Sequence, residues 1–149
     1  MNQLVKDRGC IILCGGKSSR MGSPKAMLPF GDQTLLQRVI TCVENVCPSI
    51  VVVAAKDQPL PDLPESVVVV RDSVEGQGPL EGIRVGLKAL PQTTTVAYVT
   101  SCDVPFLKPS FVSIPLCGPL KNERLQKIEI INMFSISHET PLKKSVCFQ

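Results

Sequence analysis

Three cations, Lys17, Arg20 and Lys25, fall within nine residues of one another. The surrounding stretch is CIILCGGKSSRMGSPKAMLPFG, residues 10–31. Glycine and serine leave backbone N–H groups free to face a ligand, and nests of such groups hold anions. Arg20 and Lys25 would neutralise what the nest holds, while Lys17 reads as a solvated loop charge. Two carboxylates, Asp72 and Asp103, each follow an apolar run further along the chain. The chemistry this pattern suits is the handling of a phosphate group by a loop that leaves a buried strand.

Two familiar phosphate loops are excluded. A Walker loop needs a glycine five positions before its final Gly-Lys-Ser. Gly16-Lys17-Ser18 is present, but Ile11 occupies the earlier position. The dinucleotide fingerprint G-x-G-x-x-G is absent from the stretch.

The elements that must position these residues can be read from apolar periodicity. Residues 10–14 form a continuous apolar run, as in a strand buried on both faces of a parallel sheet. Residues 26–30 read as extended, with Pro29 inside them and Gly31-Asp32 supplying a turn. Thr34 is placed to cap a helix carrying Leu35, Leu36, Val39, Ile40, Val43 and Val46, which stops at Cys47-Pro48. Strands are expected at 50–55, 67–70 and 96–101, with a helix over 80–90 between the last two. Gly82 and Gly86 leave one face of that helix without side chains, for a strand or a ligand to approach. Ligand contact is the favoured reading for Gly82.

Strands alternating with helical crossovers indicate an α/β fold, a Rossmann-like and mainly parallel sheet with helices on both faces. Ligands of such sheets sit at the carboxyl ends of the strands. Asp72, Asp103 and the glycine loop all fall there, which points to one site.

Composition bounds the rest. The chain has 149 residues, 44% hydrophobic and 19% charged, which is one globular domain's worth. A net charge of +3 without a basic, aromatic-bearing stripe gives no nucleic-acid platform. No apolar stretch is long enough to span a membrane, and MNQLVKDRG is no leader peptide, so a cytoplasmic protein is expected. Seven cysteines with no C-x-x-C pair read as reduced core residues, and a single histidine argues against zinc.

The loop matches L-x-G-G-x-S-x-R-M-G-x-x-K through Leu13, Gly15, Gly16, Ser18, Arg20, Met21, Gly22 and Lys25. It resembles the signature of nucleotidyltransferases that make nucleoside-diphosphate sugars, and within them the molybdenum cofactor guanylyltransferases. Asp72 to Ile83, ending Gly78-Pro79-Leu80-Glu81-Gly82-Ile83, is similar to that family's D-x-x-x-x-x-G-P-L-x-G-I segment. Cys102-Asp103-Val104-Pro105-Phe106 is similar to its C-D-x-P-F/Y.

The resemblance implies transfer of GMP from GTP to molybdenum-molybdopterin with Mg²⁺, releasing pyrophosphate. It implies GTP contacts from Leu13, Cys14, Gly15, Gly16, Lys25, Asp72, Gly78, Gly82 and Asp103. Catalytic roles would fall to Lys25, Arg20 and Asp103, with Asp103 the metal ligand. Ala54 stands where relatives can carry an asparagine. The implied enzyme is a monomer whose partners are GTP, molybdenum-molybdopterin and molybdoenzyme-maturation proteins, with no nucleic acid and no membrane.

Two other readings stay open: a related transferase with another acceptor or base, such as a cytidylyl enzyme, and a GTP-binding fragment without catalysis. Residues 1–112 are read as the nucleotide-binding domain. Residues 113–149 are read as a divergent tail, such as a frameshift would leave, costing the acceptor surface and leaving a sheet edge unpaired. The fold is therefore expected to be incomplete.

Overall fold

A computed structural model describes residues 8–15, 23–72, 78–94, 96–112, 128–129 and 145–148. The element order is β1 (Arg8–Leu13), a single 3-10 turn (Lys25–Met27), β2 (Pro29–Phe30), β3 (Gln33–Thr34), α1 (Leu35–Val43), β4 (Ser49–Ala55) and β5 (Val67–Asp72). There follow α2 (Pro79–Ala89), β6 (Val96–Ser101), α3 (Pro109–Val112), β7 (Ile128–Glu129) and β8 (Ser145–Phe148).

The main sheet runs β5-β4-β1-β6-β8-β7. All neighbours are parallel except β7, which runs antiparallel to β8. β1 sits between β4 and β6, with Gly9 opposite Ser49 and Arg8 opposite Val96. The chain winds outward to β4 and β5, then crosses back to place β6 on the other side of β1. The strand order therefore reverses between β1 and β6, and a crevice opens beyond their carboxyl ends.

Alternate residues of these strands feed two cores. Cys10, Ile12, Cys14, Val52 and Tyr98 pack with Leu36, Val39, Ile40 and Val43 of α1. Ile11, Val51, Val53, Ala97 and Val99 pack with Ile83 of α2 and Leu90 beyond it. Helices thus cover both faces, as continuous apolar strands require. At Gly86 a Cβ would stand 2.6 Å from Ile11 Cγ2, so α2 lies closer to β1 than any side chain would allow.

α1 begins in a capping box. Thr34 Oγ1 accepts from the Gln37 N–H at 3.3 Å, and the Thr34 N–H donates to Gln37 Oε1 at 2.9 Å. The helix closes at Val43, earlier than the apolar pattern suggests, and in the turn that follows the Val46 and Cys47 N–H groups both donate to the Val43 carbonyl.

Two expectations need correction. Residues 26–30 are not extended throughout: Lys25–Met27 coil into a 3-10 turn that buries Ala26, and only Pro29–Phe30 pair as a strand. The β6 edge is also not left unpaired. β8 runs parallel to it, with Val96 opposite Ser145 and Val99 opposite Phe148. Ser145-Val146-Cys147-Phe148 carries a β-branched and an aromatic residue and suits a strand, but four residues are too few to show a period.

Candidate active site

β1 and β6 extend their pairing one step past their ends. The Cys102 N–H donates to the Leu13 carbonyl at 3.1 Å, and on the other side the Cys14 N–H donates to Val53 O at 2.8 Å. Cys14 and Cys102 therefore lie side by side at the floor of the crevice, both buried. Gly15 follows the first and Asp103 the second, so the fold itself sets these two at the mouth. The Cys14 thiol is pushed up by its hydrogen bond with Cys102 and by burial, and the same bond lowers Cys102. Cys10, Cys14, Cys42, Cys47 and Cys102 are free and buried.

Lys25 enters from the 3-10 turn. Its Nζ lies 2.5 Å from Asp103 Oδ2. The other carboxylate oxygen, Oδ1, accepts from Ser101 Oγ at 2.5 Å. Asp103 is held below its ordinary value by Lys25 first and Ser101 second, against a burial penalty. Lys25 is raised by the same contact. With side-chain exposures of 44% and 32%, the pair faces the crevice rather than the core. A second contact joins the same two segments: the rings of Phe30 and Phe106 meet edge to face at 5.7 Å and 85°. Phe106 is otherwise 81% exposed.

Asp72 ends β5, in register with Ala55 of β4. Three inter-strand spacings separate β5 from β6, so Asp72 and Asp103 sit on one edge of the sheet but roughly 14 Å apart. They cannot share one metal ion. Asp72 also contributes to raising Arg84, whose largest partner is Glu81.

Gly78 caps α2 with φ +77° and ψ −177°, a backbone conformation that only glycine holds without strain, and it is exposed. Gly82 is placed differently from the expectation of ligand contact. It is buried against the sheet, where a Cβ would meet Leu13 Cδ2 at 3.1 Å and Val53 Cγ1 at 3.6 Å, so packing accounts for it. Leu13, half-buried, joins the α2-side core rather than the crevice. Gly16 and Arg20, together with Lys17, lie outside the described residues.

Of the sequence-derived residues, the structure brings together Cys14, Gly15, Lys25 and Asp103. Sequence reasoning passed over Ser101, although a serine two residues before a carboxylate at a strand end is a readable signal. It also left Arg71 as surface charge. Arg71 Nη1 instead donates to the Ala55 carbonyl at 3.1 Å and the Gln58 carbonyl at 2.5 Å, tying the ends of β5 and β4 together.

A carboxylate with hard oxygen donors fits a magnesium ion, which typically takes one or two protein carboxylates and completes its shell with water and phosphate oxygens. Asp103 fits that description. Among the described residues no group of three histidine, cysteine or acidic side chains forms a larger metal cage. No helix among them is long and apolar enough to cross a membrane.

Residues 10–116 match the sequence model of the MobA-like NTP transferase domain. A protein of Mycobacterium avium named probable molybdenum cofactor guanylyltransferase is 41% identical over 105 residues, 68% of this chain and 52% of its own length. The chain thus spans about half the length of the curated relatives it matches. Among solved structures, Rv0371c of Mycobacterium tuberculosis superposes with a TM-score of 0.60 at 20% identity, over 73% of this chain and 58% of the other. The same protein in complex with manganese gives 0.53 at 19% identity, over 73% and 57%. The 2-C-methyl-D-erythritol 4-phosphate cytidylyltransferase of Thermus thermophilus gives 0.56 at 19% identity, over 72% and 46%. These likenesses show the α/β nucleotidyltransferase fold.

Proposed function

Because this chain belongs to the MobA-like NTP transferase family, we propose that it transfers GMP from GTP to the phosphate of molybdenum-molybdopterin, forming the guanine dinucleotide cofactor and releasing pyrophosphate. The observation that carries this reading is the Lys25–Asp103 contact at the reversal point of the sheet, beside Gly15. It pairs an exposed cation with a hard anion, a combination that suits a polyphosphate and its counterion.

In the proposed reaction an acceptor phosphate oxygen attacks the α-phosphorus of GTP. The bond from that phosphorus to the bridging oxygen breaks, and pyrophosphate leaves with the electron pair. Such a transfer needs positioning and charge neutralisation more than covalent help. Lys25 would turn from Asp103 to the phosphates, joined by Arg20 and by N–H groups of Gly15 and Gly16. Asp103, relieved of the ammonium, would hold Mg²⁺, with Ser101 keeping the carboxylate oriented. The ion would neutralise phosphate charge and steady the leaving pyrophosphate. The manganese complex of Rv0371c supports a divalent metal in this fold. Asp72 would take the base and ribose end of the nucleotide, given its distance from Asp103. Gly78 would keep the N-terminus of α2 open to the ligand.

Molybdoenzyme-maturation proteins would receive the product, and the chain would act as a monomer in the cytoplasm. Residues 1–112 would supply the nucleotide-binding half. A second reading is GTP binding without transfer. The test is pyrophosphate release from Mg·GTP in the presence of molybdenum-molybdopterin, with CTP as competitor. Release that depends on both substrates supports transfer. Binding without release selects the second reading, and a preference for CTP overturns the choice of base.

A further inference from the structure

Gln58 lies in the turn that leaves β4. Its side chain makes two opposed hydrogen bonds. Its Oε1 accepts from the Ala55 N–H at 3.2 Å, and its Nε2 donates to the Cys14 carbonyl at 3.0 Å. The partners fix the orientation of the amide, because an N–H can only donate and a carbonyl can only accept. The turn is itself restrained. The Gln58 N–H donates to the Ala55 carbonyl at 3.2 Å, and Arg71 grips the carbonyls of both residues from β5.

The Cys14 carbonyl shares a peptide plane with the Gly15 N–H. In a planar trans peptide the two groups point in opposite directions. Holding the carbonyl toward Gln58 therefore aims the Gly15 N–H away from it. Among the described residues nothing stands within 4 Å of the place a Cβ on Gly15 would occupy, and the residue is exposed. A glycine in open space does not restrain its own peptide, and among the described residues the restraint comes from the carbonyl side, through Gln58.

We infer that Gln58 is a positioning residue, which aims the first N–H of the phosphate cradle at the phosphate oxygens of the bound nucleotide, with Arg71 holding its turn. The inference rests on the proposed nucleotide site and deepens it: it names what orients the cradle from outside the glycine loop. β1, β4 and β5 are the strands involved, so the device spans three strand ends through one amide and one guanidinium.

The test uses the full chain labelled with ¹⁵N-glycine and titrated separately with tripolyphosphate and with Mg·GTP. The Gly15 amide resonance is expected to move with both ligands. Gln58→Met, similar in length but without donor or acceptor, is expected to weaken both ligands about tenfold or more and to abolish the Gly15 shift, while the ligand-free melt stays cooperative. Gln58→Glu keeps an acceptor for Ala55 but sets an anion against the Cys14 carbonyl, and is expected to lose binding as well. Binding of Mg·GTP by Gln58→Met within twofold of wild type overturns the inference and leaves the nucleotide site standing. A Gly15 amide that stays still while wild type binds Mg·GTP also overturns it, and that measurement needs no variant to fold. If wild type binds neither ligand, the nucleotide reading fails first and the inference falls with it.

Discussion

Lys25 and Asp103 stand 78 residues apart in the chain and meet at 2.5 Å. One comes from a 3-10 turn and the other from the residues just after β6, so the contact exists only once the sheet has closed around β1. Both side chains are substantially exposed, and exposed ion pairs add little to stability. The pair is better suited to exchanging partners than to holding the fold.

Lys25→Ala should therefore leave the fold intact and remove function. In the proposed reaction, turnover of Mg·GTP is expected to fall about 100- to 1,000-fold, as when one donor is taken from a preorganised site. The thermal melt should shift by no more than a few degrees. Steady-state kinetics beside calorimetry check this, and wild-type turnover in the variant would remove Lys25 from the site.

The same pair sets a pH signature. Asp103 is lowered from its ordinary 3.8 by Lys25 and Ser101, so its contribution to stability is present above that value and lost as pH falls through the lowered one. Lys25 is raised from 10.5, so its contribution is present below that value and lost as pH climbs through the raised one. The stability difference between wild type and Asp103→Asn should be flat from about pH 5 to 9 and shrink at both extremes. A difference that changes between pH 5 and 9 would show that another group controls it.

Gly86→Ala and Gly82→Ala should separate although both improve helix propensity. At Gly86 the new methyl would meet Ile11 Cγ2, a stiff branched side chain inside the sheet, at 2.6 Å. Overpacking of that kind costs about 1–3 kcal/mol, against a propensity gain of up to about 1 kcal/mol. At Gly82 the nearest atom is the tip of Leu13 at 3.1 Å, which can give way. Urea melts should rank Gly86→Ala clearly below Gly82→Ala, and the reverse order would contradict the packing of α2 on β1.

Thr34→Ala removes the side-chain half of the capping box and should cost about 1 kcal/mol. Thr34→Ser should restore most of it. Chemical denaturation of the three proteins is the check.

Deleting 145–149 should expose the β6 edge. A lower melting temperature and concentration-dependent light scattering are expected, because an unpaired edge invites other chains. Unchanged scattering would mean that β8 does not protect this edge.

Much of the fold was legible because four strands are continuous apolar runs and α1 repeats at helical spacing behind a clear cap. Lys25 and Asp103 stood out as residue types at characteristic spacing, and the structure brings them together, whereas the glycine loop beyond Gly15 lies outside the described residues. Other features were not, each for a physical reason. The 3-10 turn at Lys25–Met27 hides between Pro24 and Pro29, which read as extended. Asp72 and Asp103 both end strands, but only the strand order reveals how far apart they are. Gln58 and Arg71 work through backbone carbonyls brought near by topology, and no spacing in the sequence encodes that.

The position of β1 has a kinetic consequence. The first strand in the chain is central in the sheet, and its neighbours begin 40 and 88 residues later, at the partners of Gly9 and Arg8. Contacts of such long sequence separation slow folding, because loop entropy is lost before pairing returns anything. Gly15 and Asp103 flank the longer of these two closures. Binding of the proposed nucleotide during refolding should thus appear with the slowest folding phase, making a bound ligand a late-arriving clock for the assembly of the whole sheet.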